Sequence, residues 1–245
     1  MTQQQKLFTR LIGITLLGSL AGCTGTVKDN RDPLENWNRD VHSFNEGADE
    51  YVMKPVAQGY RFVMPSFADE GVSNVFDNIN DLGVTINDAL QFKLAQAGLD
   101  GSRFIVNSVA GVGGLIDVAD MIDLPKHKED FDQTLGVWGI PAEPYIVLPF
   151  FGSSSPRGIV GRFGDAAMNP VNYVSLGASS VVSSAISGGT NALKTLDVRA
   201  DHLGAEKVLN EAAADRYEFL KNSYYQQRDY LVNDGEGVDK TDLIN

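Results

Sequence analysis

Cys23 is the only cysteine of the chain, and it ends the sequence LAGC at positions 20–23. A basic segment with Lys6 and Arg10 and an apolar stretch (11–20) precede it, in the order of n-region, h-region and small-residue cleavage site. In such a signal the thiol takes a diacylglyceryl group by thioether formation. Cleavage then frees an amine that accepts a further acyl chain, such as palmitate. We therefore predict a lipoprotein signal peptide at 1–22, cleaved to leave a lipidated Cys23.

An acylated Cys23 would determine where the protein is located and which cysteine reactions remain possible. The stretch 11–20 is too short to span a bilayer, and an ordinary secretory signal would not need a cysteine at this position. No free thiol would remain for a disulfide, a nucleophile or a metal site. Two or more acyl chains give stable anchoring, at roughly 0.8 kcal/mol per buried methylene. Thr24, where an Asp would signal inner-membrane retention, favours the outer membrane, with the protein on its periplasmic face.

The charge of the chain excludes several partners. Its net charge is −12, and cleavage before Cys23 removes two basic residues and no acidic ones. A chain this acidic is a poor ligand for nucleic acid or for an anionic membrane surface. No later stretch has the 18 or so apolar residues of a spanning helix. Any second contact with the bilayer is therefore expected to be interfacial.

We find no catalytic motif in the sequence. It has no Gly-x-Ser-x-Gly elbow, and the stretch 188–195 fails as a phosphate loop because Leu193 stands where a glycine is required before Lys194. The three histidines, His42, His127 and His202, lack the spacing of a helical metal pair. The acidic residues near His127 are more typical of a solvent-exposed turn than of a cation-binding site. We predict no enzyme activity, no cofactor and no metal.

The periodicity of apolar residues predicts one helical domain at 32–235. A lipidated tether (23–31) precedes it and a disordered tail (236–245) follows. Asp32 and Glu35 have the spacing of a capping box, and Pro55 is expected to end the first helix. An apolar stripe follows this cap at helical spacing: Leu34, Trp37, Val41, Phe44, Ala48 and Tyr51.

Shorter helices are predicted in the middle of the chain. One begins near Ser66, another covers Val84–Ala97, and Asp100 is expected to cap a third. The glycines at 111–114 should then break the chain. Beyond a weakly specified helix (171–187), a clearer last helix should stop at the Asn-Asp-Gly sequence of 233–235.

Between Phe131 and Gly164, glycine and proline interrupt an aromatic and apolar run, which predicts a turn-rich hairpin rather than one long helix. Packing of such a loop on the core would explain the run as well as a functional role does. Seven large apolar residues of this segment are its candidate functional residues: Phe131, Leu135, Trp138, Tyr145, Leu148, Phe150 and Phe151.

Several spaced motifs resemble those of the MlaA/VacJ lipoproteins. The run DPLENWNRDVHSFN (32–45) is close to the family pattern DPLEgfNRxxxxFN. The likeness continues through GVGGLIDVA (111–119) and peaks at EDFDQTLGVWGIPAEPYIVLPFFGSSSPRG (129–158). It covers roughly residues 32 to 235. Three positions depart from the pattern: Asp132 and Glu143 stand where the family usually has glycine, and Gly158 where it usually has aspartate.

The resemblance implies an all-α, ring-like arrangement of short amphipathic helices in the inner leaflet of the outer membrane, around an amphipathic channel. It makes the seven candidate residues between Phe131 and Phe151 the candidates for lining or gating this lipid channel. Family members work with trimeric outer-membrane porins. They remove misplaced phospholipids from the outer leaflet and pass them to a soluble periplasmic carrier, which delivers them to an ATP-driven complex. No reaction takes place in the protein itself.

Two other functions remain open at the level of the sequence. One is a structural or adaptor lipoprotein that binds porins and moves no lipid. The other is an envelope hydrolase, which would require a nucleophile beside a base in a pocket. A continuous opening lined by aromatic residues would favour the channel over the adaptor.

Overall fold

The computed structural model describes residues 30–173, 180–203 and 215–235. The predicted signal peptide, Cys23, most of the tether and the predicted tail lie outside the described residues. The described part is mainly helical, with one two-stranded sheet, which confirms the all-α prediction. Within it, no helix combines the length and the apolar character that crossing a membrane requires.

The first helix does not end at Pro55. Helix α1 (Glu35–Ala48) continues through a π-helical turn, Asp49–Met53, into α2, Lys54–Val63. The π-turn pairs the Lys54 N–H with the Asp49 carbonyl five residues back. Pro55 then lies at the start of α2, where a missing N–H costs little. The extra residue of the turn thus accommodates the proline.

Asp32 does not cap α1. The N-cap is Leu34, without a side-chain hydrogen bond, and Asp32 is fully buried. Its carboxylate accepts hydrogen bonds from Asn38 Nδ2 at 2.7 Å and from the Tyr217 hydroxyl, and Lys221 Nζ lies 3.6 Å away. The predicted capping box is therefore wrong. Asp32 pairs with Lys221 instead, because leaving a buried lysine without a carboxylate costs more free energy than leaving an exposed helix end uncapped.

Two antiparallel helices follow, and their boundaries differ from the prediction. Helix α3 covers Ser66–Leu90 and α4 covers Leu94–Val109. The predicted helix Val84–Ala97 is wrong, because the chain turns between the two helices at Phe92, whose φ is +63°. Apolar residues recur at helical spacing on both sides of this turn, so the sequence does not indicate where α3 ends and α4 begins.

Asp100 also does not act as a cap. It is fully buried within α4, and His127 Nδ1 lies 2.8 Å from its carboxylate. The glycine break is confirmed: Gly113 and Gly114 both have positive φ after α4 ends. A side chain at Gly114 would meet Asn78 at 2.7 Å.

The segment predicted as one hairpin contains a helix, a short hairpin and a second helix. Asp130 caps α6 (Phe131–Val137), after a single-turn helix α5, Val118–Met121. Strands β1 (Ile146–Leu148) and β2 (Gly152–Ser154) pair antiparallel. Helix α7 covers Pro156–Met168.

The remaining elements are a 3₁₀ turn, Pro170–Asn172, and helices α8, Ser180–Asp201, and α9, Arg216–Val232. The predicted weakly specified helix (171–187) lies partly outside the described residues: its first residues belong to the 3₁₀ turn, and its last ones lie in α8. The last helix and its stop at Asn233 are confirmed. Asp215 caps α9 by accepting the Glu218 N–H at 3.1 Å.

The helices pack in a closed circuit. Helix α2 contacts α8, α8 contacts α3, and α3 contacts α4, α6 and α7. Helix α6 then contacts α9, α9 contacts β2, and β1 contacts α1, which leads back into α2. This circuit confirms the predicted ring-like arrangement.

The interior of this ring is unusually polar. Among the described residues, buried polar and charged side chains outnumber buried apolar ones. Large apolar side chains lie outside instead, including Phe62 at 91% exposure and Phe92 at 85%. Extensive exposed apolar surface on a protein marks contact with a partner or a lipid phase.

Candidate functional site

A cavity of about 200 Å³ lies between helices α3, α7 and α8. Its wall from α3 carries Phe76, Ile79, Asn80 and Gly83, which recur at the helical spacing of one face. The other walls come from the end of α7 with the 3₁₀ turn and from α8: Asp165, Ala166, Asn169, Val171, Asn172, Thr190, Asn191 and Lys194.

The lining of this cavity is amphipathic. Phe76, Ile79 and Val171 provide an apolar side, and most of the other residues provide amide, hydroxyl or charged groups. Asp165 and Lys194 are the ionisable members among the described lining residues. Such a surface can accept a ligand with both an apolar and a polar part.

Asp165 is held at the wall of the cavity by a neighbouring helix. Its carboxylate accepts the Phe131 N–H at 2.8 Å. Burial raises the pKa of Asp165 to about 6, and this hydrogen bond offsets part of the rise. The carboxyl is therefore mostly ionised at neutral pH, but weakly enough for a nearby charge to change its state.

A second cavity of about 200 Å³ shares Asp165 with the first. It is polar, and Ser153 and Ser154 bring the hairpin to its wall. Arg228 crosses it and contacts Asp130 at 2.6 Å. The hairpin therefore adjoins the amphipathic cavity through one shared residue.

Two of the seven candidate residues form the exposed tip of the hairpin. Phe150 is 75% exposed and Phe151 is 66% exposed. Phe150 packs edge-on against Phe44, with ring centroids 5.2 Å apart. The Arg162 guanidinium lies over the Phe151 ring, 5.4 Å from its centroid. The tip therefore presents aromatic surface outward.

Of three other candidates, Tyr145 and Leu148 hold the hairpin in place, whereas Leu135 lies on α6. Tyr145 is buried against Tyr217, Tyr224 and Tyr225, and its hydroxyl lies 2.8 Å from Ser153 Oγ. Leu135 is buried. The half-buried Leu148 accepts a hydrogen bond from Asn45 through its carbonyl.

Phe131 and Trp138 lie on α6 and its C-cap rather than in the hairpin. Their rings meet edge-on, with centroids 6.2 Å apart. Trp138 is 53% exposed and donates from Nε1 to the Leu90 carbonyl at 3.2 Å. The Phe131 ring lies so close to Gly164 that a Cβ there would approach it at 2.3 Å. The structure thus brings Phe131, but not Trp138, beside Asp165.

None of the seven candidates lines the amphipathic cavity. Sequence reasoning missed its ionisable residues, Asp165 and Lys194. The stretch 188–195, which fails as a phosphate loop, is helical and supplies Thr190, Asn191 and Lys194 from one face. The sequence does show asparagines interspersed among apolar residues, which is typical of an amphipathic lining. This pattern does not reveal which helices face one another, so it could not locate the cavity.

Two of the three departures from the family pattern, Asp132 and Gly158, fit this chain's own packing. Asp132 is buried and contacts Arg157 Nε at 2.5 Å and Arg228 Nε at 3.1 Å. A side chain at Gly158 would meet the Tyr224 hydroxyl at 3.2 Å, so an aspartate would be crowded there. Glu143 precedes Pro144 through a cis peptide bond.

A separate acidic cluster joins α3 to α4. Burial, and then the hydrogen bond and charge of Asp100, raise the pKa of the fully buried Asp88 to about 8. Gln96 Nε2 donates to Asp88 Oδ1 at 2.8 Å, whereas Asp88 Oδ2 accepts no hydrogen bond. Among the described residues, no group of His, Asp and Glu side chains has the arrangement of a metal site.

The comparisons with known proteins agree on one family. The family model described as MlaA lipoprotein matches residues 30–231. The intermembrane phospholipid transport system lipoprotein MlaA of Escherichia coli (strain K12) is 32% identical over 236 residues, covering 94% of this chain and 90% of that protein. Its Haemophilus influenzae counterpart is 31% identical over 250 residues, covering 96% of each.

A solved structure leads to the same result. It comes from work on the structural basis for maintenance of bacterial outer membrane lipid asymmetry, and it superimposes with a TM-score of 0.72 at 30% identity. The match covers 82% of this chain and 99% of that one. With its family model matched over most of its length, its ring of helices and its amphipathic cavity, this chain belongs to the MlaA lipoprotein family.

Proposed function

We propose that this protein is an outer-membrane lipoprotein that removes misplaced phospholipids from the outer leaflet and passes them to a soluble periplasmic carrier. This is retrograde intermembrane phospholipid transport, which maintains lipid asymmetry. The protein acts as a passage and catalyses no reaction. It is anchored at Cys23 on the periplasmic face of the membrane and works beside trimeric porins.

The observation that carries this proposal is the reversed distribution of polar and apolar side chains. The helices bury charged and amide groups, while Phe62, Phe67 and Phe92 are each more than three-quarters exposed. A lipid phase around the ring removes the cost of exposing these rings. A body of short amphipathic helices lying in one leaflet fits this distribution.

The amphipathic cavity supports a passage through the ring. A phospholipid has a charged head group and two apolar chains, so its path needs both kinds of surface. The wall of α3 offers Phe76 and Ile79, while α8 offers Asn191 and Lys194. The exposed aromatic tip of the hairpin, at Phe150 and Phe151, is suited to contact acyl chains near this path.

The test is the amount of phospholipid in the outer leaflet of cells that lack the protein, probed with an outer-leaflet acyltransferase or phospholipase. We expect a rise that the wild-type chain reverses. A version with Phe150→Asp and Phe151→Asp should not reverse it, whereas the exposed-site variant Asn36→Asp should. No rise in the deleted cells would contradict the proposal.

The second candidate function is a porin-binding adaptor that moves no lipid. The exposed apolar surface favours it as well, because apolar patches also bind proteins. Porin co-purification together with unchanged outer-leaflet phospholipid would support the adaptor. Co-purification with raised phospholipid in deleted cells would support transport.

A further inference from the structure

The cavity between α3, α7 and α8 carries donors that lack a protein partner. Within the part of the chain that the structure describes, Lys194 forms no ion pair, and the side-chain amides of Asn80 and Asn191 form no hydrogen bond. Most of the other lysines and arginines that the structure describes are paired with carboxylates, for example Lys93 with Glu129 at 3.0 Å. Asn80 and Asn191 are exposed and Lys194 is half-buried, so all three donors are open to an anion that enters the cavity.

The chemistry of these donors fits a phosphodiester. A lysine ammonium is a compact point charge that binds phosphate oxygens, and asparagine supplies two further N–H donors. Phe76 and Ile79 lie on the same wall as Asn80, so apolar surface adjoins the anion site. A phosphate esterified to a glycerol with acyl chains matches this order of polar and apolar groups.

The cavity is too small for a whole phospholipid. Its volume of about 200 Å³ lies below the roughly 300–1,000 Å³ of pockets that enclose a drug-sized ligand. It therefore has room for a head group, with the acyl chains outside it, along the apolar surface.

The cavity also contains one carboxylate. Asp165, on α7, faces the same space as Lys194, on α8, and the two are not within ion-pair distance of each other. One cation and one anion on separate walls match a ligand that carries both charges. Arg228 also attracts this carboxylate from the second cavity, but a head group with only a phosphate charge would still place a second negative charge in the space that Asp165 lines.

We propose that this cavity is a binding site for the zwitterionic head group of an ethanolamine phospholipid, with Lys194 and Asn191 on its phosphate and Asp165 on its ammonium group. This inference rests on the proposed transport function, since it names the part of the lipid that the passage recognises. It makes Lys194 and Asp165 the residues that select among head groups.

The experiment uses the full-length lipidated protein, purified in detergent and incubated with equal amounts of phosphatidylethanolamine, phosphatidylglycerol and diacylglycerol of identical chains. Native mass spectrometry measures which lipid is retained. Wild type should retain phosphatidylethanolamine about tenfold over diacylglycerol, as one charge-assisted contact implies. Lys194→Gln should lose this preference, and Lys194→Arg should keep most of it. The control Lys128→Gln, at an exposed lysine, should behave as wild type.

Asp165→Asn distinguishes the second half of the site. Asparagine keeps an oxygen for the Phe131 N–H but removes the charge, so retention of phosphatidylethanolamine should fall to that of phosphatidylglycerol. Equal retention of phosphatidylethanolamine by wild type and Lys194→Gln would overturn the inference, as would a wild-type preference for phosphatidylglycerol. Deleted cells without raised outer-leaflet phospholipid would instead contradict transport itself, whatever lipid the cavity holds.

Discussion

The side chain of Asn45 holds the backbone at Phe150. Asn45 Oδ1 accepts the Phe150 N–H at 2.7 Å, and Asn45 Nδ2 donates to the Leu148 carbonyl at 2.9 Å. Seven residues earlier on α1, Asn38 repeats the arrangement with the Tyr145 carbonyl and the Val147 N–H. The side chains of these two asparagines, on one face of α1, thus form hydrogen bonds with the backbone of β1 and the hairpin tip, as a neighbouring strand would.

We predict that Asn45→Ala loosens the hairpin tip. Phe150 has a φ of +65°, which a non-glycine residue adopts only when its surroundings hold it there. The variant removes two hydrogen bonds of about 0.5–1.5 kcal/mol each. Hydrogen exchange of the peptide 145–154, followed by mass spectrometry, should accelerate about tenfold or more. Exchange unchanged from that of the exposed-site control, Asn36→Ala, would show that the clamp does not hold the tip.

The buried Asp88 should make folding stability depend on pH. Its pKa is raised to about 8 in the folded protein, against an ordinary value of 3.8. Between these values the folded state binds more protons than the unfolded state, so the free energy of unfolding falls as pH rises from about 4 to 8. Asp100, Glu129, Lys93 and His127 share the surroundings of this carboxyl, so the comparison must isolate Asp88.

Asp88→Asn retains Oδ1 for Gln96 and removes the titrating group. Its free energy of unfolding in urea, measured in detergent at pH 5 and pH 8, should therefore fall less over this range than that of wild type. Asp229→Asn changes an exposed carboxylate on α9 and should leave the wild-type slope intact. Parallel slopes for wild type and Asp88→Asn would contradict the raised pKa.

The family residue at position 132 should destabilise this particular chain. Asp132→Gly leaves Arg157 and Arg228 without their shared buried carboxylate, and removing one partner of a buried pair costs about 3–5 kcal/mol. Thermal or urea unfolding of the purified protein measures this loss. The double variant Asp132→Gly/Arg157→Met should recover part of it, because one uncompensated buried charge is removed with the other. A single variant as stable as wild type would mean that the ion pair contributes nothing.

How much the sequence predicts depends on whether the signal is local. The glycine break at 111–114 and the end of the last helix are encoded by a few neighbouring residues. Each of them was readable without knowledge of the fold. The helix turn at Phe92 was not, because no glycine or proline marks it and its left-handed backbone depends on tertiary contacts.

Asp32 and Asp100 illustrate the second kind of failure. Both have the local pattern of a helix cap, and both are instead fully buried partners of distant groups, Lys221 and His127. The same error is expected for other buried carboxylates of this polar interior, because they form ion pairs and hydrogen bonds inside the fold instead of capping helices. The cavity was missed for a related reason: α3 is distant in the chain from α7 and α8, and helix periodicity does not show which of their faces meet.

The proposed anchoring at Cys23 predicts that a variant without this cysteine changes compartment. Cys23→Ser removes the acceptor of the acyl chains, so the protein should appear in the soluble periplasmic fraction and incorporate no labelled palmitate. It should also fail to lower outer-leaflet phospholipid in deleted cells. Fractionation and palmitate labelling check the first two expectations. Normal detergent resistance of cells that carry only the soluble form would count heavily against a membrane-embedded passage.

The most direct test of a lipid passage is to fill the cavity. Gly83 lies in its wall on α3, and a Cβ there would meet nothing within 4 Å, so Gly83→Trp places an indole in the space without an immediate clash. Gly98 on α4 is equally open but lies outside the cavity, which makes Gly98→Trp the matched control. Outer-leaflet phospholipid is measured in deleted cells that express either variant at wild-type levels. We predict that Gly98→Trp restores the low wild-type amount and Gly83→Trp does not. Full restoration by Gly83→Trp would contradict a passage through this cavity.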